Sequence, residues 1–300
     1  MTRKKALNIA LGLILGLGLW VGLAFVVGVQ KQDLQALWMR LSLFHCGVIF
    51  ILTFFLALMG AHKWEIMAHM LHKTQPAQSK AFYRRHIIWQ SWTGQFVSPT
   101  LVLIFGRGLA EKKHASFRAG AFSGVIDFAG EALFLAATLI SGALALFGII
   151  GWMEYIMLSL LSCILVFLAS YVLVKRFRKN WLPLFPHFMF WSFMRVLLIL
   201  TRLVWGVFAL GVIISPLSVA AAAPLVAGLS LIPITPGNLG IIEWGWAGVL
   251  ALGGQSPLEA ALLAMGFRVL VLIAQTLLVA VYEVGNYTIK ACQKDKAMPK

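Results

Sequence analysis

Residues 218–252 read SVAAAAPLVAGLSLIPITPGNLGIIEWGWAGVLAL. Two apolar arms flank a centre of Pro233-Ile234-Thr235-Pro236-Gly237-Asn238-Leu239-Gly240. A helix crossing the hydrocarbon core needs about 20 mostly apolar residues, so this stretch is too long for one crossing. Proline removes a backbone donor and bars helix continuation, while glycine permits the chain to reverse. Broken backbone at membrane depth is tolerated only where protein or a watery cavity satisfies its polar groups. The stretch predicts a re-entrant helical hairpin. The same logic applies to Ile87 to Gly106, which is interrupted by Gln90, Thr93, Gly94, Gln95, Ser98 and Pro99.

The remaining composition agrees with a bilayer setting. Of 300 residues, 61% are hydrophobic and 12% charged, with mean hydropathy +0.89. A soluble chain carries about 25% charged residues, so this one lacks the polar groups to cover a water-exposed surface. It reads as an all-α integral membrane protein. The net charge of +15 is a topology signal here, and no nucleic-acid partner is expected. Cys46, Cys163 and Cys292 lie far apart and form no paired motif, so they read as unpaired.

Six further segments qualify as spans: Leu7 to Val29, Leu41 to Ala61, Ala119 to Phe147, Glu154 to Val174, His187 to Ile214 and Leu258 to Asn286. The first follows Arg3, Lys4 and Lys5 but is too long for a signal-peptide core, so it reads as a signal anchor. If both broken segments return to the side they left, one side collects 20 of the 25 Lys and Arg residues. These are Arg3, Lys4 and Lys5, the group from Lys63 to Arg85, Arg107 to Arg118, Lys175 to Lys179, and Lys290 to Lys300. The positive-inside rule then places both termini in the cytoplasm, in the inner membrane.

The resulting order is span, span, re-entrant hairpin, span, then the same again. Residues 1–150 start inside and end outside, and 151–300 do the reverse. This is an inverted-topology repeat within one integrated membrane domain. Ser98-Pro99 and Thr235-Pro236 mark equivalent points, each followed by glycines and a long helix carrying a charge, Asp127 or Arg268.

A charge inside lipid costs about 2.5–3.5 kcal/mol on insertion scales, so each asks for a partner or a role. Asp127 and Glu131 stand at i, i+4 on one helix face. They read as packing partners for arginines, as a proton or cation site, or as metal ligands with only one helix supplying oxygens. Arg195 and Arg202 stand at i, i+7. Arg202 lies about 22 Å along its helix from His187, too deep to reach the cytoplasm by snorkelling. They either pair with Asp127 and Glu131 or hold a phosphate through bidentate hydrogen bonds. Glu243 opens the returning arm of the second hairpin, as a helix cap or as a coupling group. The amides of Gly237, Asn238 and Gly240 are free to meet an anion. His62, His69 and His72, with Trp64, Met67 and Leu71, read as an interfacial amphipathic helix. No Walker loop, His-Glu-x-x-His helix or Gly-x-Ser-x-Gly elbow is present, so no catalytic residue, metal ligand or cofactor is expected.

Leu231 to Gln275 resembles the transmembrane, flippase-like domain family of lysylphosphatidylglycerol synthases. The residues that carry the likeness are Pro233, Pro236, Gly237, Gly240, Glu243, Gly253 and an alanine-rich helix with Arg268. Asp127 stands where the family often has an acid. Ser123 and Gly124 replace the family's Glu-Arg pair, and Asn238 stands where a second glycine is common. The resemblance implies the lipid-translocating half alone, without the aminoacyl-transfer domain. Its expected substrate is a phospholipid or polyprenyl-phosphate-linked lipid, with lipid-synthesis enzymes as partners. The residues expected to line the route are Arg195, Arg202, Arg268, Thr235, Gly237, Asn238, Gly240, Glu243, Gln95 and Ser98, with Asp127 and Glu131 as a charge-pair or coupling face. The alternatives are a membrane enzyme that modifies a lipid headgroup, with Asp127 and Glu131 on a metal, and a scaffold for lipid synthesis.

The topology is tested with single cysteines in a cysteine-free chain. A cysteine at Lys112 should resist an impermeant reagent applied from outside, and one at Gln255 should react. External labelling at Lys112 overturns the first hairpin.

Overall fold

The computed structural model describes residues 18–19, 21–71, 78–112, 116–229, 235 and 238–296. Among these, all regular structure is helical. In chain order the elements are α1 (residues 21–27), α2 (Lys31–Arg40), α3 (Leu43–Leu71), α4 (Lys80–Thr93), α5 (Pro99–Glu111), α6 (Phe117–Ala137) and α7 (Leu139–Leu146). They continue with α8 (Trp152–Phe177), α9 (Phe185–Leu210), α10 (Pro216–Leu229), α11 (Ile241–Leu252) and α12 (Pro257–Lys296). Five stretches are long and apolar enough to cross a bilayer: Leu43–Leu71, Phe117–Leu146, Trp152–Phe177, Phe185–Leu210 and Pro257–Thr288. The chain is a multi-pass membrane protein.

The span expected at Leu7 to Val29 lies mostly outside the described residues. Its described part, α1, packs the buried Leu23 against Ala247, Ala261 and Met265. The span expected to stop at Ala61 instead runs on to Leu71. No proline or glycine follows Gly60 in α3, so nothing ends the helix there. This corrects two expectations. Lys63 is no loop residue but a fully buried one, and His62 and His69 belong to α3 rather than to a separate interfacial helix. Trp64 and Met67 are buried as well. His72 lies outside the described residues.

The two broken stretches each form a pair of short helices. Ser98 caps α5 by accepting from the Leu101 amide at 3.5 Å, and Pro99 occupies the first turn, where no amide is needed. α4 lies along α12, with Tyr282 donating to the Ala81 carbonyl at 3.2 Å and Trp92 Nε1 to Thr276 Oγ1 at 3.0 Å. The turn after α4 then meets Arg268, whose Nη2 donates to the Gln95 carbonyl at 3.0 Å. Arg268 lies roughly 16 Å into α12 from Pro257 at 1.5 Å rise per residue. Arg107, expected in a loop with Lys112, is fully buried on α5. The second pair is α10 and α11. α10 packs on α7 so closely that a Cβ on Gly142 would lie 2.5 Å from the Ala221 carbonyl oxygen.

α5 and α6 are in comparably tight contact, and the reason is a Gly-x-x-x-Gly spacing. Gly120 and Gly124 on α6 face the α5 backbone at Arg107 and at Leu103–Ile104; a Cβ on Gly124 would lie 2.8 Å from Ile104 Cα. Without a hydrophobic effect between helices in lipid, such close backbone approach is a main source of association. Gly124→Ile should therefore force α5 away and cost about 1–3 kcal/mol, the usual range for overpacking. Thermal unfolding of the purified chain in detergent measures it, and an unchanged midpoint contradicts the packing described.

Candidate functional site

Asp127 and Glu131, one turn apart on α6, each meet cations brought by other helices. Lys63 Nζ from α3 lies 2.5 Å from Asp127 Oδ1 and 2.5 Å from Glu131 Oε1, so one ammonium bridges both. Arg107 from α5 pairs with Asp127 Oδ2 through Nη2. Arg195 from α9 pairs with Glu131 Oε1 through Nη1. The charges alternate in the order Arg107, Asp127, Lys63, Glu131, Arg195 and tie four helices together. Aromatic faces support the cations: Lys63 Nζ is 5.5 Å from the Phe188 ring centre and the Arg107 guanidinium 4.8 Å from that of Trp64. Trp64 Nε1 in turn donates to Glu111. Close by, burial pushes the Tyr83 phenol up to about 12, with Glu111 adding to the shift, so it stays neutral.

Packing decides who occupies these carboxylates. They face an ammonium and two guanidinium groups, so both oxygens of Asp127 and Oε1 of Glu131, which the metal-ligand reading would use, meet cations of the protein. Arg195, read either as a partner of Asp127 and Glu131 or as a phosphate ligand, is bound to Glu131, and its Nε donates to the Leu56 carbonyl at 3.4 Å.

Arg202 differs. Among the described residues no carboxylate lies within salt-bridge distance of it. Its Nη1 donates to Thr53 Oγ1 at 3.3 Å, and the guanidinium sits 5.9 Å from the Phe267 ring centre. Its Nε is buried with no hydrogen-bond partner, as is Trp205 Nε1 one turn further along α9. A cation–π contact is worth about 0.5–2 kcal/mol, less than a desolvated guanidinium gains from a carboxylate.

The second group of expected residues gathers at Arg268. Its Nη1 lies 3.4 Å from Glu243 Oε1, and the Gln95 carbonyl accepts from its Nη2. The turns of both broken stretches thus meet one side chain in the body of α12. Glu243 also accepts from the Gly240 amide at 2.7 Å, so it caps α11 and pairs with Arg268 at once. Asn238 takes φ +53 and Gly240 φ +84. Glycine and asparagine are the residues that enter this left-handed region at least cost, which suits an asparagine at 238 and a glycine at 240. Thr235 is buried and donates to the Leu239 carbonyl at 2.8 Å, tightening the turn. Ser98 is spent on its cap. Gly237 lies outside the described residues. The two clusters adjoin, because Phe267 above Arg202 is the neighbour of Arg268.

Beside them, between α6, α8 and α9, a groove of about 680 Å³ is lined by Phe134, Cys163, Phe167, Met189, Phe190 and Trp191 among others. Trp191 stands edge-on to His62 at 5.1 Å. Lys63 and Arg107 are what sequence reasoning missed. A signal existed for Lys63: the apolar run continues past it to Leu71 without a breaker. Comparison with family models, curated proteins and solved structures finds no match to this chain.

Removing one member of a buried pair leaves its partner's charge stranded, a loss of about 3–5 kcal/mol. Asp127→Ala strands Arg107 and half-strands Lys63. It should lower the thermal midpoint far more than Glu283→Ala, whose bond to Arg85 Nε at 2.9 Å lies at the exposed rim. Equal midpoints for the two variants contradict a structural role for the network.

Proposed function

We propose that this chain is a lipid transporter of the inner membrane. It moves a phospholipid or polyprenyl-phosphate-linked lipid between leaflets, with both termini in the cytoplasm. The headgroup passes through the polar interior while the tails stay in hydrocarbon. The observation that carries this reading is Arg202, a guanidinium deep in a spanning helix with a hydroxyl and a ring for company and, among the described residues, no carboxylate. Cations in spans are costly and are usually paired. One left with an open donor edge beside two broken helical pairs suits an anionic headgroup in transit.

The meeting of both turns at Arg268 supports the reading of α4–α5 and α10–α11 as re-entrant hairpins of an inverted repeat. Substrate sites of such transporters lie where broken helices meet near the midplane. The aromatic groove offers a surface for a hydrocarbon tail, with Phe134 and Trp191 of its lining one helical turn from Glu131 and Arg195 in sequence. The resemblance to the flippase-like domain of lysylphosphatidylglycerol synthases points the same way.

The test is translocation of fluorescent phosphatidylglycerol in proteoliposomes, followed by dithionite quenching. Arg202→Gln should slow transport about tenfold or more, since one lost charge-assisted contact costs on the order of 1.5–3 kcal/mol. Arg202→Lys should fall between, keeping charge and losing the planar fork. Wild-type rates in both variants, or no transport by the wild-type protein, sink the proposal.

A further inference from the structure

The hydrogen bonds around Arg202 leave a specific shape unfilled. Thr53 gives its own proton to the Ile49 carbonyl at 2.8 Å, so towards Arg202 its oxygen is an acceptor only. That bond fixes Nη1. The opposite edge of the guanidinium carries the Nε and Nη2 protons, which point the same way, and Nε is buried without an acceptor among the described residues. Two parallel N–H groups match two oxygens on one phosphorus. Trp205, three residues on, lies on the same face of α9, and its indole N–H is also buried without an acceptor. Two buried donors three residues apart on one helix, Arg202 Nε and Trp205 Nε1, therefore lack an acceptor among the described residues.

Charge narrows the ligand further. Among the described residues Arg202 has no carboxylate within salt-bridge distance, so it presents one positive charge held only by a hydroxyl and a ring. A phosphodiester has two non-bridging oxygens and a single negative charge, which matches both the edge and that charge. A phosphomonoester in its doubly charged form leaves one negative charge over.

We propose that Arg202 and Trp205, with Thr53 as positioning residue, form a phosphate clamp selective for a singly charged lipid phosphodiester. Phe267 covers the guanidinium until the lipid displaces it. The ring is seated against Gly206, where a Cβ would lie 2.5 Å from Phe267 Cδ2. This rests on the reading that the interior takes an anionic lipid, but its test is binding rather than transport.

The purified full-length chain is equilibrated with micelles containing phosphatidylglycerol, phosphatidic acid or diacylglycerol at pH 9, where a monoester carries about two charges. Retained lipid is measured by mass spectrometry. Phosphatidylglycerol should be retained over the other two. Arg202→Gln should lower its retention at least tenfold. Trp205→Phe, which keeps the ring and loses the N–H, should lower it about two- to tenfold, the span of one neutral hydrogen bond. Trp205→Phe also keeps the test decisive should Arg202→Gln fold poorly. Equal retention of phosphatidic acid overturns the charge match, and wild-type retention of phosphatidylglycerol by Trp205→Phe overturns the clamp. A wild-type chain that retains phosphatidylglycerol selectively yet translocates none upholds the clamp and removes the transport reading alone.

Discussion

Asp127 and Glu131 put two negative charges on one turn of α6, in surroundings where an isolated ion costs about 2.5–3.5 kcal/mol. Lys63, Arg107 and Arg195 answer them from three other helices. Because each cation must arrive at a fixed height and rotation, the network sets the register of α3, α5 and α9 against α6. Neighbouring features follow from this demand. α5 must approach α6 closely enough for Arg107 to reach Asp127, and Gly120 and Gly124 remove the side chains that would prevent it. α3 must continue past Ala61 to carry Lys63 to the same point.

A network in which every charge faces an opposite one fixes structure and leaves little to exchange. Its members bond to one another through short, charge-assisted contacts, and any anion competing for Arg195 must first displace Glu131. Arg202, a little further along α9, is held by one hydroxyl and one ring. The contrast separates two positions that lie two turns apart on one helix. The cation at one level is locked by carboxylates. The other is compensated weakly enough that an incoming anion improves its surroundings.

Several parts of this arrangement were legible in the residues. The i, i+4 spacing of Asp127 and Glu131 announced one charged face, and Pro-Gly chemistry located the turn that ends at Gly240. Glu243 was readable as a helix-opening anion, and it caps α11 while pairing with Arg268. Lys63 and Arg107 were misassigned because each follows an apolar run at a place where a span of ordinary length would end. Charge counting then sweeps such residues into the flanking loop. A lysine two residues beyond the expected membrane boundary looks the same in sequence whether it meets water or a carboxylate from a helix 64 residues away.

What the sequence determined by itself is whatever depends on solvent preference and local backbone chemistry. Its 61% hydrophobic content excludes a soluble fold, apolar run lengths mark the spans, and prolines and glycines mark where helices break. Tertiary structure alone decided which buried charge meets which. That Arg195 is taken by Glu131 while Arg202 is left to Thr53 and Phe267 depends on the rotation of α9 against α3, α6 and α12. Both arginines are chemically identical and lie two turns apart, so no property of either residue distinguishes them. Coulomb energy in a poor dielectric falls off over a few ångströms, and only packing fixes distances on that scale.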